Sequence, residues 1–163
     1  MLRLSVWPAL ALCLLVAPHA RSQAPADDLD AFWVEAVRTV VDGDFDGYAA
    51  LYHPDAVLVS LFTNDSKPIA GAFAEWKPYF DDTAAGRKEA GLEFRFTQRL
   101  RSETTAHETG MFSYRLHPVG EEAPAPVYIH FESLLVRDGD GWTWLMEYQK
   151  SVATADEWEA AAP

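Results

Sequence analysis

The 163-residue sequence contains a single cysteine, Cys13. Its absence everywhere beyond excludes a disulfide framework, a thiol nucleophile and a cysteine-ligated metal from the rest of the chain. Basic residues are scarce too: 13 Lys and Arg stand against 25 Asp and Glu, a formal net charge of −12. Without Arg3 and Arg21 the balance is 11 against 25, or −14. A surface of that sign repels phosphate backbones and anionic lipids, which argues against nucleic-acid binding and membrane-surface roles. No apolar run after Ala17 is long enough to span a bilayer. The H-E-x-x-H, G-x-S-x-G and glycine-rich phosphate-loop patterns are missing, and no motif asks for a cofactor. Asp42-Gly43-Asp44-Phe45-Asp46-Gly47 begins like a calcium loop, but its twelfth position is His53 where a bidentate Glu is needed, so no metal is expected.

What is present begins with an export pattern. Met1-Leu2-Arg3 is a short positive start, and Leu4 to Ala17 is almost wholly apolar yet too short for a membrane-spanning helix. Ser22-Gln23-Ala24 and Ala24-Pro25-Ala26 both carry small residues where a signal peptidase reads. Leu12, just before Cys13, is larger than a lipoprotein signal tolerates. Residues 1–26 are therefore expected to be a signal peptide, cleaved between 20 and 26, and the protein to be exported to the periplasm or the extracellular medium. The remaining 137 residues suffice for one domain, expected over 27–152 with a tail over 153–163. A domain of that size buries roughly two-thirds of its unfolded surface and needs no staples.

Leu29, Phe32, Trp33, Ala36, Val37, Val40 and Val41 follow helical spacing, with Asp27 or Asp28 as cap and Gly43 as terminator. A second helix is predicted from Asp44, carrying Phe45, Tyr48, Leu51 and Tyr52 and stopped by Pro54. Val57 to Phe62 reads as a buried strand, and Asn64 to Pro68 as a turn. A third helix is predicted over about Ala72 to Asp82, with Pro78 as a kink site. After Gly91 the period changes to two, predicting strands from Leu92, over Thr104 to His117, Val127 to Val136 and Trp142 to Ser151. Asp138-Gly139-Asp140-Gly141 joins the last two as a hairpin. The tail is expected to fray unless Trp158 tucks it back. Helices followed by a meander of strands predict an α+β domain, with about three N-terminal helices on a strongly curved, mainly antiparallel sheet.

The run Gly43-Asp44-Phe45-Asp46-Gly47-Tyr48-Ala49-Ala50-Leu51-Tyr52-His53-Pro54-Asp55-Ala56-Val57 resembles the nuclear transport factor 2-like superfamily, in its SnoaL-like and ketosteroid-isomerase-like branches. Ala106, Gly110 and the closing Asp-Gly-Trp hairpin match as well, so the resemblance covers about residues 29–151. It implies a cone-shaped, cystatin-like roll. It also implies a carboxylate base on the first strand, a tyrosine on the first helix and an acid on a late strand. These positions fall at Ser60, at Ala36 and at Ser133, or at Glu132 after a one-residue slip. The chain thus lacks most of the isomerase machinery.

The resemblance turns the residue after Ala106 into the cavity, which makes His107 the best single candidate for a general acid or base. The opposite parity buries Phe112, Tyr114 and Leu116 and turns His107 outward; alternation alone favours neither. Counting through the hairpin pairs Glu132 with Glu147 and His130 with Gln149, on the face opposite Phe131, Ser133, Trp144, Met146 and Tyr148. The expected pocket is lined by Trp33, Ser60, Phe62, Trp76, His107, Ser133, Trp144, Met146 and Tyr148. Many rings and few carboxylates suit a small apolar or aromatic ligand. The first functional expectation is a small-molecule-binding protein that forms a homodimer through the outer sheet face. The second is an isomerase-, cyclase- or hydratase-type enzyme using His107, with Tyr52, Tyr148 or Ser60 orienting a carbonyl. The third is a non-catalytic assembly module whose cone is only core.

Overall fold

A computed structural model describes residues 26–139 and 141–161. The export segment expected over 1–26 lies outside the described residues except for Ala26. Helix α1 (Ala26–Asp42) buries Leu29, Phe32, Trp33, Ala36 and Val40, the stripe its helical period requires. Asp27 and Asp28 lie within its first turn. Gly43 ends the helix at φ +70°, and a Cβ there would sit 2.3 Å from the Ala84 nitrogen, so only glycine fits. Asp44 caps α2 (Phe45–Ala50), accepting from the Gly47 N–H at 2.9 Å.

Helix α2 is shorter than predicted. Strand β1 (Tyr52–Ser60) opens at Tyr52, and Pro54 lies within it instead of stopping a helix. The register shifts between Tyr52 and Val57, and this irregularity accommodates a residue that cannot donate to a ladder. The expected turn over Asn64–Pro68 is a turn only at its start, where Asn64 adopts φ 49°. Asp65–Pro68 forms β2, which pairs back on β1 from Val57 to Ser60. Helix α3 (Ile69–Ala84) runs through Pro78.

Strands β3 (Lys88–Arg101), β4 (Thr105–Pro118), β5 (Val127–Asp138) and β6 (Gly141–Ala153) form an antiparallel meander. Strand β1 joins it in parallel with β6, giving one mixed six-stranded sheet in the order β2-β1-β6-β5-β4-β3. Helices α1, α2 and α3 pack on one curved face of this sheet, as expected for an α+β domain. Over its described residues the tail is tucked back rather than frayed. Helix α4 (Ala155–Ala160) carries a Thr154–Glu157 capping box, and Trp158 is buried on the outer sheet face with Met111 and Ala153. No helix among the described residues is long and apolar enough to cross a membrane.

Register irregularities decide which side chains face inward. Trp144 lies opposite Leu135, but Met146 lies opposite Leu134, so Leu145 is an extra residue. The predicted pairs Glu132–Glu147 and His130–Gln149 are therefore replaced by Ser133–Glu147 and Phe131–Gln149. In β3, Thr97 is the extra residue opposite Gly110, where a Cβ would come within 2.1 Å of the Arg95 carbonyl oxygen.

Candidate functional site: a half-filled concave face

Part of the concave face is plugged by its own rings. Trp33 lies between 4.6 and 5.8 Å, centroid to centroid, from Phe94, Phe96, Trp144, Phe32 and Phe131. Its indole N–H donates to Glu108, a carboxylate with no solvent exposure. Arg99 and Arg101 donate to the same group at 2.6 and 3.3 Å, and both reach Asp30 at 2.7 and 3.4 Å. A buried charge needs such partners, and this cluster ties α1 to β3 and β4.

Beside the plug lies a cavity of about 360 Å³. That size falls in the range of small-molecule sites. Its wall is mostly rings and aliphatic groups: Tyr48 from α2, Trp76, Tyr79 and Phe80 from α3, Leu92 from β3, Phe112, Tyr114 and Leu116 from β4, and Ile129 from β5. Tyr79, half-exposed, stands at the solvent side. Ala90 is the smallest side chain of the lining and comes from β3. A side recess of about 40 Å³ runs from Tyr48 and Glu147 toward Ser133 and Trp144.

The polar end of the cavity is built on β6. Glu147 is buried and lines both spaces. Its carboxyl accepts from the Tyr52 hydroxyl at 2.5 Å and from the Gln149 amide at 2.8 Å. The Tyr48 and Tyr52 hydroxyls lie 3.0 Å apart, and Ser60 donates to the Gln149 amide oxygen at 3.3 Å. Glu147 is thus held from two sides, by Tyr52 of β1, which Tyr48 of α2 contacts in turn, and by Gln149, which Ser60 of β1 contacts. Burial pushes its carboxyl above the ordinary carboxylate range, and the bonds from Tyr52 and Gln149 offset part of that. Burial, together with the neighbouring Glu147 charge, raises both tyrosines well above the usual phenol range, so they stay neutral donors.

The residues expected in the pocket divide into three groups. Trp76 lines the main cavity, and Ser133 and Trp144 line the recess, where the Trp144 N–H donates to the Ser133 hydroxyl at 3.1 Å. Trp33 forms the plug, and Ser60 reaches the site only through Gln149. Phe62, His107, Met146 and Tyr148 lie outside it. Phe62 is exposed in the turn before β2. Met146 and Tyr148 pair with Val57 and Val59 on the outer face, because the extra residue Leu145 reverses their parity.

His107 takes the outward orientation, and the opposite parity puts Phe112, Tyr114 and Leu116 inside. It sits on the outer face, 3.7 Å from Glu132, which also accepts from Lys150 at 2.5 Å. The Lys150 ammonium, with His107 adding to it, holds Glu132 below the usual carboxylate range. Among the described residues no group of three His, Cys, Asp or Glu is placed to hold a metal ion.

No family model matches this sequence, and no curated protein matches it. Solved structures do match. One is an NTF-2 like protein of unknown function from Shewanella oneidensis, 19% identical over 78% of this chain and 100% of that one, with a TM-score of 0.61. A ketosteroid isomerase-like protein from Erwinia carotovora atroseptica is 13% identical over 78% of this chain and 95% of that one, TM-score 0.56. A domain of unknown function with a cystatin-like fold from Nostoc punctiforme is 16% identical over 84% and 85%, TM-score 0.56.

The chain has the nuclear transport factor 2-like fold.

Within that nuclear transport factor 2-like frame, the three isomerase positions do not assemble a catalytic set. Ala36 is fully buried core, Ser60 supports Gln149, and Ser133 accepts from Trp144. Glu132 faces outward. The carboxyl in the cavity is Glu147, a residue that strand alternation alone assigns to the wrong face.

Proposed function

We propose that this chain is an exported small-molecule-binding protein of nuclear transport factor 2-like fold. Its ligand is a small apolar or aromatic molecule with one polar group, seated against Glu147. The cavity of about 360 Å³, left open beside a fully packed ring cluster, carries this reading. An interior meant only as core would be filled at the density of the Trp33 plug. The N-terminal pattern of Met1 to Ala26 supports export, which cell fractionation tests directly.

The neutral fluorophore N-phenyl-1-naphthylamine tests the pocket. The protein is expected to enhance its emission at one saturable site, and Ala90→Trp, which puts an indole where a methyl group lines the cavity, to abolish the enhancement with the fold intact. Equal enhancement by a folded variant overturns the reading.

A second reading has one specific observation behind it. A buried carboxyl with raised proton affinity in a cleft suits a general acid or base. Proton-transfer chemistry in this cavity would therefore use Glu147 and not His107. A homodimer contact through the outer sheet face is also part of the proposal. It is supported by Val57, Met146, Leu134 and Val59, Tyr148, aligned in neighbouring registers on that face. Size-exclusion chromatography with light scattering, repeated on Tyr148→Asp, tests it.

A further inference from the structure

We propose that the ligand is an organic cation, an ammonium group on an apolar or aromatic body, with its charge set against Glu147 among ring faces. This rests on the ligand-binding reading above and narrows its chemistry.

The first argument is charge. Glu147 is the only carboxyl among the described lining residues, and none of those residues is Lys, Arg or His. An anionic ligand would meet no counter-charge and would lie against an acid. The acidic balance of the whole chain, −12, attracts cations to the protein rather than anions.

The second argument is the wall. Tyr48, Trp76, Tyr79, Phe80, Phe112 and Tyr114 all border the same space. Ring faces attract an ammonium, most strongly where water is excluded. Such a contact already exists at the solvent side, where the Lys88 ammonium lies 5.3 Å from the Tyr79 ring centroid while paired with Asp82 at 3.1 Å.

The third is hydrogen-bond capacity. A carboxylate has about four acceptor sites. Tyr52 and Gln149 occupy two on Glu147, leaving acceptor capacity for an ammonium N–H on a group that lines the cavity. The groups facing it are Tyr48 from α2, Tyr52 from β1, Gln149 from β6 and, across the cavity, Tyr114 from β4, all uncharged at neutral pH. An incoming cation therefore meets no positive charge among the described lining residues; the nearby Lys88 ammonium stands at the solvent side, paired with Asp82. The incoming cation favours the ionised form of Glu147, and the proton leaves to solvent.

Isothermal titration at neutral pH with 2-phenylethylammonium, 2-phenylethanol and 3-phenylpropanoate tests this. The ammonium is expected to bind about tenfold tighter than the alcohol, with the carboxylate weakest. Glu147→Gln should bring the ammonium down to the level of the alcohol and leave the alcohol unchanged. An alcohol that binds as tightly as the ammonium overturns the cation while leaving a ligand site standing. Binding of none of the three at millimolar concentration overturns both. Should Glu147→Gln not fold, a pH series on the unaltered protein decides. Ammonium affinity must rise with pH as Glu147 ionises while that of the alcohol stays level; a flat ammonium profile overturns the proposal.

Discussion

Trp144 and Glu147 point to the same side of β6, although they stand three positions apart. In a regular strand such a pair faces opposite ways. The extra residue Leu145 restores the match, so the strand presents Trp144 to the ring plug and Glu147 to the cavity. One backbone irregularity thereby gives the concave face both its dry half and its acid. Bulges next to functional sites commonly re-aim a side chain in this way.

The buried acid makes stability depend on pH in a defined direction. Burial raises the proton affinity of Glu147 in the folded state above the ordinary value near 4.5. Between that value and the raised one, the folded protein binds more protons than the unfolded chain, so stability falls as pH rises through the window. Glu147→Gln removes the titration. Thermal melts at about pH 5 and about pH 8 should show the variant gaining on the unaltered protein as pH rises. A gap that is constant with pH contradicts this.

Glu108 shows the opposite kind of burial, a charge fully matched by two guanidiniums and an indole N–H. Glu108→Ala leaves Arg99, Arg101 and Trp33 without their shared acceptor. The expected loss is about 3–5 kcal/mol in chemical denaturation. The cavity is lined by other residues, so ligand binding by the surviving folded fraction should be unchanged.

At Gly110, beside the extra residue Thr97, the backbone of β3 leaves no room for a side chain on β4. A methyl group cannot fit 2.1 Å from the Arg95 carbonyl oxygen, so Gly110→Ala must push the two backbones apart. A loss of about 1–3 kcal/mol is expected, together with faster amide exchange across β3. Unchanged exchange there argues against the close approach.

The C-terminal helix depends on one side chain. Trp158 stacks on Tyr128 at 5.1 Å and lies under the Arg95 guanidinium at 4.2 Å, while Arg95 also donates to the Trp158 and Ala161 carbonyls. Six residues of helix do not hold themselves. Trp158→Ala should therefore release the tail to limited proteolysis after Ala153, with the sheet intact. Resistance equal to that of the unaltered protein rules this out.

What could be read from the sequence follows the same physics. The stripe Leu29–Val40 and the Asp-Gly hairpin are local patterns, and each produced its element. The motif from Gly43 to Val57 pointed to the right fold. The spacing predicts too long an α2 because Tyr52 continues its apolar period, while pairing with Trp144 on β6 claims Tyr52 for β1. Alternation places the polar end of the cavity outside because it assumes an unbroken strand. Nothing in Trp144-Leu145-Met146-Glu147 marks a bulge. Glu147, Gln149 and the outward turn of His107 emerge only from the pairing of whole strands. The signal that was present was weaker: a Glu and a Gln two residues apart on the last strand, beside tyrosines whose hydroxyls need partners.

The occupancy of the cavity is tested most directly by ¹⁵N–¹H correlation spectra recorded during titration with 2-phenylethylammonium. The indole N–H of Trp76 and the side-chain amide of Gln149 should shift together and saturate, while the His107 and Lys150 amides on the outer face stay still. Shifts confined to His107, Glu132 and Lys150, or no shifts at Trp76 and Gln149 at saturating ligand, would place the working surface elsewhere and leave the cavity without a role.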